Sequence, residues 1–194
     1  MYKIAIVGNI AAGKSTVQDY LVKKGFCVID TDDIARNVRK KYVKRIVDAL
    51  KYYDITDNNG NISKDKLSAL AAIDEDFRMY LNNIMHPLIF DELDKKLTNT
   101  KYELVFVGIP LLFETGKEKD FDRIIFVYAD DEIRLQRLIN NREMDKKMAG
   151  AWINSQIPQN EKINKSNYII CNNGSKEELY RQIDPILDEI TNFL

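Results

Sequence analysis

The stretch Gly8-Asn9-Ile10-Ala11-Ala12-Gly13-Lys14-Ser15 decides the fold of this chain. It is a complete G-x-x-x-x-G-K-S. The apolar run Lys3–Val7 leads into it and a helical pattern leads out of it. Strand, glycine-bounded loop and helix in that order make a phosphate-binding loop. Gly8 permits the sharp turn, and Gly13 lets main chain approach a phosphate without a Cβ in the way. The loop N–H groups and the helix N-terminus present positive potential to a di- or triphosphate. Gly8, Ala11, Ala12, Gly13, Lys14, Ser15 and Thr16 are therefore the expected nucleotide-binding residues. Lys14 is expected to reach the β- and γ-phosphates, and the Ser15 hydroxyl to ligate Mg²⁺. Several reaction classes share this motif, so it speaks of a nucleotide phosphate and not yet of a reaction.

Outward from the loop, further apolar runs lie at Phe26–Ile29, Glu103–Val107, Arg123–Tyr128 and Asn167–Ile170. They are rich in Val, Ile, Phe and Tyr without polar alternation, which suits parallel strands buried on both faces. Helical periods separate them, so the expected class is α/β, built from β-α-β units with right-handed crossovers. The first helix should run from about Gly13 to Lys24 and end at Gly25. One long helical region is expected through Ile34, Val38, Val43, Ile46, Val47 and Leu50, then a turn at Asp57-Asn58-Asn59-Gly60. Ser63 reads as an N-cap. The stripe from Phe77 to Leu97 should be interrupted at His86-Pro87. Ser175-Lys176-Glu177-Glu178 matches a capping box, and Pro185 should bend the helix that follows. The expected core is 1–30, 102–138 and 161–194, with a helical insertion at 31–101 and a second, polar insertion at 139–160.

Composition excludes several classes. A chain of 194 residues carries one such core with modest insertions. Its net charge is −1, with Lys and Arg scattered among Asp and Glu, so no nucleic-acid partner is expected. Cys27 and Cys171 make no metal-binding or disulfide pattern and read as buried, reduced thiols. No apolar stretch approaches the roughly 20 residues that span a bilayer. The N-terminus enters a strand without signal-peptide architecture, so no membrane partner and a cytoplasmic location are expected. Nothing marks an obligate assembly, and a monomer or weak homo-oligomer is expected.

Asp30-Thr31-Asp32-Asp33 follows the second strand, and ligands of open α/β sheets sit beyond the strands' carboxyl ends. A carboxylate there can orient or deprotonate an acceptor hydroxyl, or hold Mg²⁺ through water. Helix capping is the competing reading, with Asp33 as the expected cap and Asp30 and Asp32 better placed for chemistry. Arg36, one turn on, could bind an anionic acceptor group. His86, the only histidine, reads as structural rather than as an acid–base group.

Taken together, the chain resembles the dephospho-CoA kinases. Gly8–Thr16 is similar to their G-G-I-x-S-G-K-S-T, and Val28-Ile29-Asp30-Thr31-Asp32 with Arg36 to their V-I-D-A-D-x-x-x-R. His86-Pro87 matches H-P, and Ile109–Glu114 is similar to P-L-L-F-E. Gln136, Arg137 and Arg142 align with Q-L-x-R…R, Gln156-x-Pro158 with Lys162 matches Q-x-P-x-x-x-K, and Asn172–Ser175 resembles D-N-x-G-S. The resemblance covers essentially the whole chain, and it implies a three-layer P-loop kinase fold with a five-stranded parallel sheet. It implies ATP-dependent phosphorylation of the 3′-hydroxyl of dephospho-CoA, the last step of coenzyme A synthesis, with ATP and dephospho-CoA as partners. It makes the 31–101 insertion the acceptor (CoA) subdomain and 139–160 a lid over ATP. It assigns Asp32, Lys14 and Arg137 to catalysis and Arg142 to ATP. Asp30, Arg36 and His86 fall on the acceptor side.

The chain departs from that pattern in places. Asn9 replaces the second loop glycine and should tolerate a positive φ there. Gly108 stands where many members are acidic, which removes any direct metal ligand at that point. Gln159 replaces an arginine, from which weaker ATP affinity is expected, and Cys171 replaces an aspartate. Lys14, Ser15, Asp32 and Arg36 remain, which favours an active enzyme over a nucleotide-binding pseudoenzyme. Another small-molecule acceptor, such as a nucleoside monophosphate, is the alternative substrate.

Overall fold

The computed structural model describes residues 1–193, apart from the side chain of Ala72. Leu194, the end of the expected 161–194 segment, lies outside the described residues. The chain divides into two compact units, Met1–Ile29 with Tyr102–Leu194, and Asp30–Lys101.

The first unit is built on strands β1 (Tyr2–Gly8), β2 (Cys27–Asp30), β3 (Leu104–Gly108), β4 (Arg123–Tyr128) and β5 (Tyr168–Cys171). Their order is β2-β3-β1-β4-β5 in a five-stranded parallel sheet. Ile6 pairs with Gly108 on one side and with Ile125 on the other, so β1 is central. Ile4, Ile6, Phe106, Ile125 and Val127 share one face, where they join Val17, Leu21, Leu179 and Ile183 in a core cluster. The alternate residues Ala5, Val7, Val105, Val107 and Phe126 are fully buried on the other face. Central strands buried on both sides are apolar throughout, as the sequence reads. The outer strands differ: every residue of β2 is half-buried, and Ile169 and Cys171 on β5 are exposed. Cys171 is thus not a buried thiol and Cys27 only partly one, because an edge strand keeps one flank open.

Helix α1 (Lys14–Lys23) follows the loop, with Gly25 in the left-handed region just past its C-cap. In the second unit the expected long helix is two, α2 (Thr31–Lys41) and α3 (Val43–Ala49), parted at Tyr42. Ser63 caps α4 (Lys64–Ile73), its side chain accepting from the Lys66 N–H. The Asp57 turn is closed by a Gly60 N–H bond to the Asp57 carbonyl and a Thr56–Ile62 bridge. Helix α5 (Glu75–Asn99) runs unbroken through Pro87, contrary to the expected interruption. Proline removes one main-chain hydrogen bond. Burial of Phe77, Met85, Leu88, Leu93 and Leu97 along the same helix outweighs that loss.

The remaining helices are α6 (Asp131–Arg142), α7 (Lys146–Asn154), α8 (Gln159–Ile163) and α9 (Lys176–Asn192). Helix α9 opens with the expected Ser175–Glu178 capping box and continues through Pro185. It meets α1 through stacked rings of Tyr20 and Tyr180, 4.0 Å apart, and a 2.7 Å bond from the Tyr20 hydroxyl to Asp184. Among the described residues no helix is long and apolar enough to cross a membrane.

A polar clasp joins α2 to α5. The Glu92 carboxylate accepts from Lys41 and from the Tyr42 hydroxyl, both at 2.8 Å, and from Lys95 at 3.1 Å. The Lys41 bond foremost, then Tyr42 and Lys95, hold Glu92 down to about 2. A carboxyl depressed in the fold contributes stability above its unfolded value of 4.5, and that contribution fades as pH falls toward about 2. Chemical denaturation between about pH 5 and pH 2.5 should therefore show a shallower acid loss for Glu92→Gln than for the wild type.

Candidate active site

The loop of residues 8–15 turns out of β1 into α1. Gly13, the N-cap of α1, has φ 100°, and a Cβ there would collide with the Asn172 Nδ2. Its glycine is thus required twice, by conformation and by the close approach of Asn172. Gly13→Ala is expected to weaken ADP binding about 30-fold, checked by titration calorimetry. The positive φ expected at Asn9 falls instead on Ala11, at 60°. Asn9 is buried and donates from its amide to the Ile157 carbonyl at 3.1 Å.

The loop is held from behind by α6. Arg134 and Arg137, one helical turn apart, reach consecutive loop carbonyls. Arg134 Nε donates to Ile10 at 2.9 Å, and Arg137 to Ala11 and Ala12, each at 3.2 Å. A second Arg137 nitrogen donates to the Asn172 carbonyl at 2.7 Å. Asn172 in turn donates to the Ala12 carbonyl at 2.7 Å. Gln156 completes the brace, its Oε1 accepting from the Ile10 N–H at 2.7 Å. Ala149 and Ile153 of α7 pack with Leu138 of α6 against Ile10 and Ala11. Burial lowers the pKa of both guanidinium groups, and for Arg134 the nearby Asp131 opposes that. A guanidinium keeps its proton in spite of this, so the two arginines place positive charge beneath a loop built for phosphate.

Arg134 was not a candidate in the sequence, although it is 1% exposed and the largest fully buried side chain among the described residues. The available signal was its spacing, three residues before Arg137 and three after Asp131, to which it donates at 2.7 Å. Arg137 also lines a cavity of about 510 Å³ with Asp130, Ile133, Gln136, Asn140 and Asn141. Arg142 is exposed at the last turn of α6.

Two motif residues far apart in sequence meet as an ion pair. Lys162 Nζ, with a side chain 0% exposed, lies 2.7 Å from the Glu114 Oε1. Gln159, where an arginine was expected, donates to the Ala129 carbonyl at 2.9 Å and to Asp131 at 3.0 Å. Its side-chain amide continues the end of β4, a task its shape and donors fit. Lys14 and Ser15 open α1, with Ser15 exposed and Lys14 donating to Gln18 at 3.1 Å.

In the second unit the acidic run sits at the start of α2. The expected Asp33 cap is wrong. Asp30 is the N-cap, its Oδ1 accepting from the Asp32 N–H at 2.8 Å. Asp33 instead pairs with Arg36 across one helical turn, with both side chains more than half exposed. Exposed pairs of this kind contribute less than about 1 kcal/mol, so Arg36 can exchange Asp33 for another anion. Asp32 is exposed in the first turn of α2. Arg39, one turn beyond Arg36, is half-buried and went unnoticed in the sequence. Burial first, and then Arg36, lower its pKa. His86 lies half-buried within α5.

Comparison with known proteins gives a consistent result. The family model described as dephospho-CoA kinase matches residues 2–178. A dephospho-CoA kinase of Fusobacterium nucleatum is 35% identical over 191 residues, covering 96% of this chain and 97% of that protein. One from Geobacillus kaustophilus is 36% identical, with 96% and 95% covered. Among solved structures, a Thermus thermophilus protein superposes with a TM-score of 0.84 at 29% identity, covering 97% of each chain. Dephospho-CoA kinase from Campylobacter jejuni (TM-score 0.72, 24% identity, 98% and 97% covered) shares the fold. So does shikimate kinase from Aquifex aeolicus (TM-score 0.56, 16% identity, 97% and 98% covered).

Proposed function

The chain belongs to the dephospho-CoA kinase family, and we infer from this that it transfers the γ-phosphoryl group of ATP to the ribose 3′-hydroxyl of dephospho-CoA, giving CoA and ADP. It is a phosphotransferase of CoA biosynthesis. The observation that carries the reading is the braced loop. Arg134, Arg137 and Asn172 take up the carbonyls of Ile10, Ala11 and Ala12. Phosphoryl transfer depends mainly on positioning and charge neutralisation, and a loop fixed in advance supplies both.

The proposed roles follow. The loop from Gly8 to Thr16 binds the ATP phosphates, and Lys14 stabilises charge that grows on the γ-phosphoryl oxygens. Asp32 accepts the proton of the 3′-hydroxyl as that oxygen bonds to the γ-phosphorus and the bond to the β-phosphate oxygen breaks. Arg36, with Asp30 and His86, serves the acceptor side, on the unit Asp30–Lys101. Arg137 acts at the phosphates through the loop it holds. Residues 139–160 act as a lid that brings Arg142 to ATP and excludes water.

ATP-using kinases work with a divalent metal, and here we propose Mg²⁺. Among the described residues no cluster of acidic, His or Cys side chains could cage an ion. That fits an ion that keeps its waters and is held by substrate phosphates. Ser15 would be its protein ligand, and the ion would neutralise charge on the β- and γ-phosphates. The working form is a monomer or weak homo-oligomer in the cytoplasm.

The test incubates purified protein with ATP, Mg²⁺ and dephospho-CoA, with nucleoside monophosphates as parallel acceptors, and detects products by mass. CoA formation is expected. Phosphorylation of a nucleoside monophosphate alone would move the acceptor assignment, and ATP binding without turnover would sink the enzyme reading.

A further inference from the structure

Lys14 is the residue on which the proposed chemistry turns, and its side chain has a neighbour that the phosphate-loop motif does not contain. Gln18 lies four residues on, on the same side of α1. The residue is 5% exposed, deep for a glutamine in the first turns of a helix. The Gln18 Oε1 accepts from the Lys14 Nζ at 3.1 Å.

The space for that amide comes from the sheet. Gly108 is buried at the carboxyl end of β3, beside Ile6 of the central strand. A Cβ on residue 108 would collide with the Gln18 Nε2, lie 2.8 Å from its Cδ and 3.0 Å from the Lys14 Nζ. Neither contact arises from positive φ at Gly108; a side chain there would compete with Gln18 and Lys14 for the same space. Gln18 and Gly108 are therefore one device. The glycine clears a slot, and the glutamine fills it with an oxygen aimed at the loop lysine. A buried amide in a fixed slot has little rotamer freedom, so it confines the lysine ammonium as well.

We propose that Gln18 is a positioning residue for phosphoryl transfer: lodged against Gly108, it holds the Lys14 ammonium in place for the γ-phosphoryl group. The proposal rests on the reading of Lys14 as the phosphate lysine. An aligned lysine stabilises the transition state more than bound ATP, so its misplacement appears in kcat rather than in KM. Gln18→Leu keeps the volume and removes the acceptor. Gln18→Glu keeps the acceptor. Gly108→Asp alone drives a side chain into the glutamine. Gln18→Ala with Gly108→Asp returns an acceptor to Lys14 from the strand instead of the helix.

The experiment measures kcat and KM for CoA formation in these variants, together with acceptor-free ATP hydrolysis and melting temperature. Gln18→Leu should lower kcat about ten-fold with KM for ATP within about two-fold. Gln18→Glu should stay within about three-fold of the wild type. Gly108→Asp should be impaired, and the double variant should recover most of its loss. The proposal is overturned if Gln18→Leu turns over like the wild type. It is equally overturned if Gln18→Glu falls as far as Gln18→Leu, or if the double variant is no better than Gly108→Asp. A wild type that makes no CoA would defeat the acceptor assignment separately. The ratio of Gln18→Leu to wild type in ATP hydrolysis, which uses the same lysine, would still decide the role of Gln18.

Discussion

Asp32→Asn should lower kcat for CoA formation about 10²–10⁴-fold, with ADP binding unchanged within about two-fold. The magnitude is that of losing a general base whose partner hydroxyl is a poor nucleophile while protonated. Asparagine keeps the size and cannot take a proton. Its neighbours supply the controls. Asp30 has a structural task, since its carboxylate caps α2 through the Asp32 N–H. Asp30→Ala should therefore cost about 1 kcal/mol of stability as a lost cap. Asp33 is engaged with Arg36 on the exposed side of the helix. Asp33→Asn should leave kcat within about three-fold and alter chiefly the affinity for the anionic acceptor. A kcat loss at Asp30 that exceeds the loss at Asp32, without a matching fall in melting temperature, would move the proton to Asp30. The assay is steady-state CoA production across pH for the three single variants.

The strands and the loop were legible because their signals are local. Apolar runs and a glycine-bounded motif need no knowledge of partners, and all five strands fall within a residue or two of the runs that announced them. What was hidden depends on contacts distant in sequence. Arg134 reads as one more polar residue of an amphipathic helix. Its burial follows from acceptors that carry no side-chain signature, above all the Ile10 carbonyl 124 positions away. The space beside Gly13 is taken by Asn172 and that beside Gly108 by Gln18, neither of which the loop motif contains. The edge strands β2 and β5 have the same apolar composition as the central ones, so only the strand order reveals their exposure. The misplaced cap has a different origin. Three acidic residues within four positions offer equivalent capping groups, and a shift of the helix start by a few residues selects among them. In α5, the local preference of proline is overridden by packing along the helix, so the expected interruption is absent.

Glu114→Gln should destabilise the protein by about 3–5 kcal/mol, the range for leaving one member of a buried ion pair without its partner. For a chain of this size that is a fall in melting temperature of about 10 °C. The reason lies in the unequal exposure of the pair. Lys162 has a fully buried side chain, while 24% of the Glu114 side chain reaches solvent. Removing the carboxylate strands an ammonium that has no route to water. Removing the ammonium leaves a carboxylate that can hydrate, so Lys162→Met should cost less than Glu114→Gln. The double variant Glu114→Gln/Lys162→Met should recover most of the stability, because an uncharged pair in the same space has no charge left to desolvate. Thermal and urea unfolding of the four proteins closes the cycle. Strictly additive losses would mean that the pair is not coupled and that its two members matter for packing alone. A Lys162→Met loss as large as that of Glu114→Gln would contradict the exposure argument. The pair also joins the segment after β3 to α8, which follows directly on the Gln156 that braces the loop. A loosened pair should therefore weaken ADP binding modestly, about three-fold, in protein that remains folded at the assay temperature.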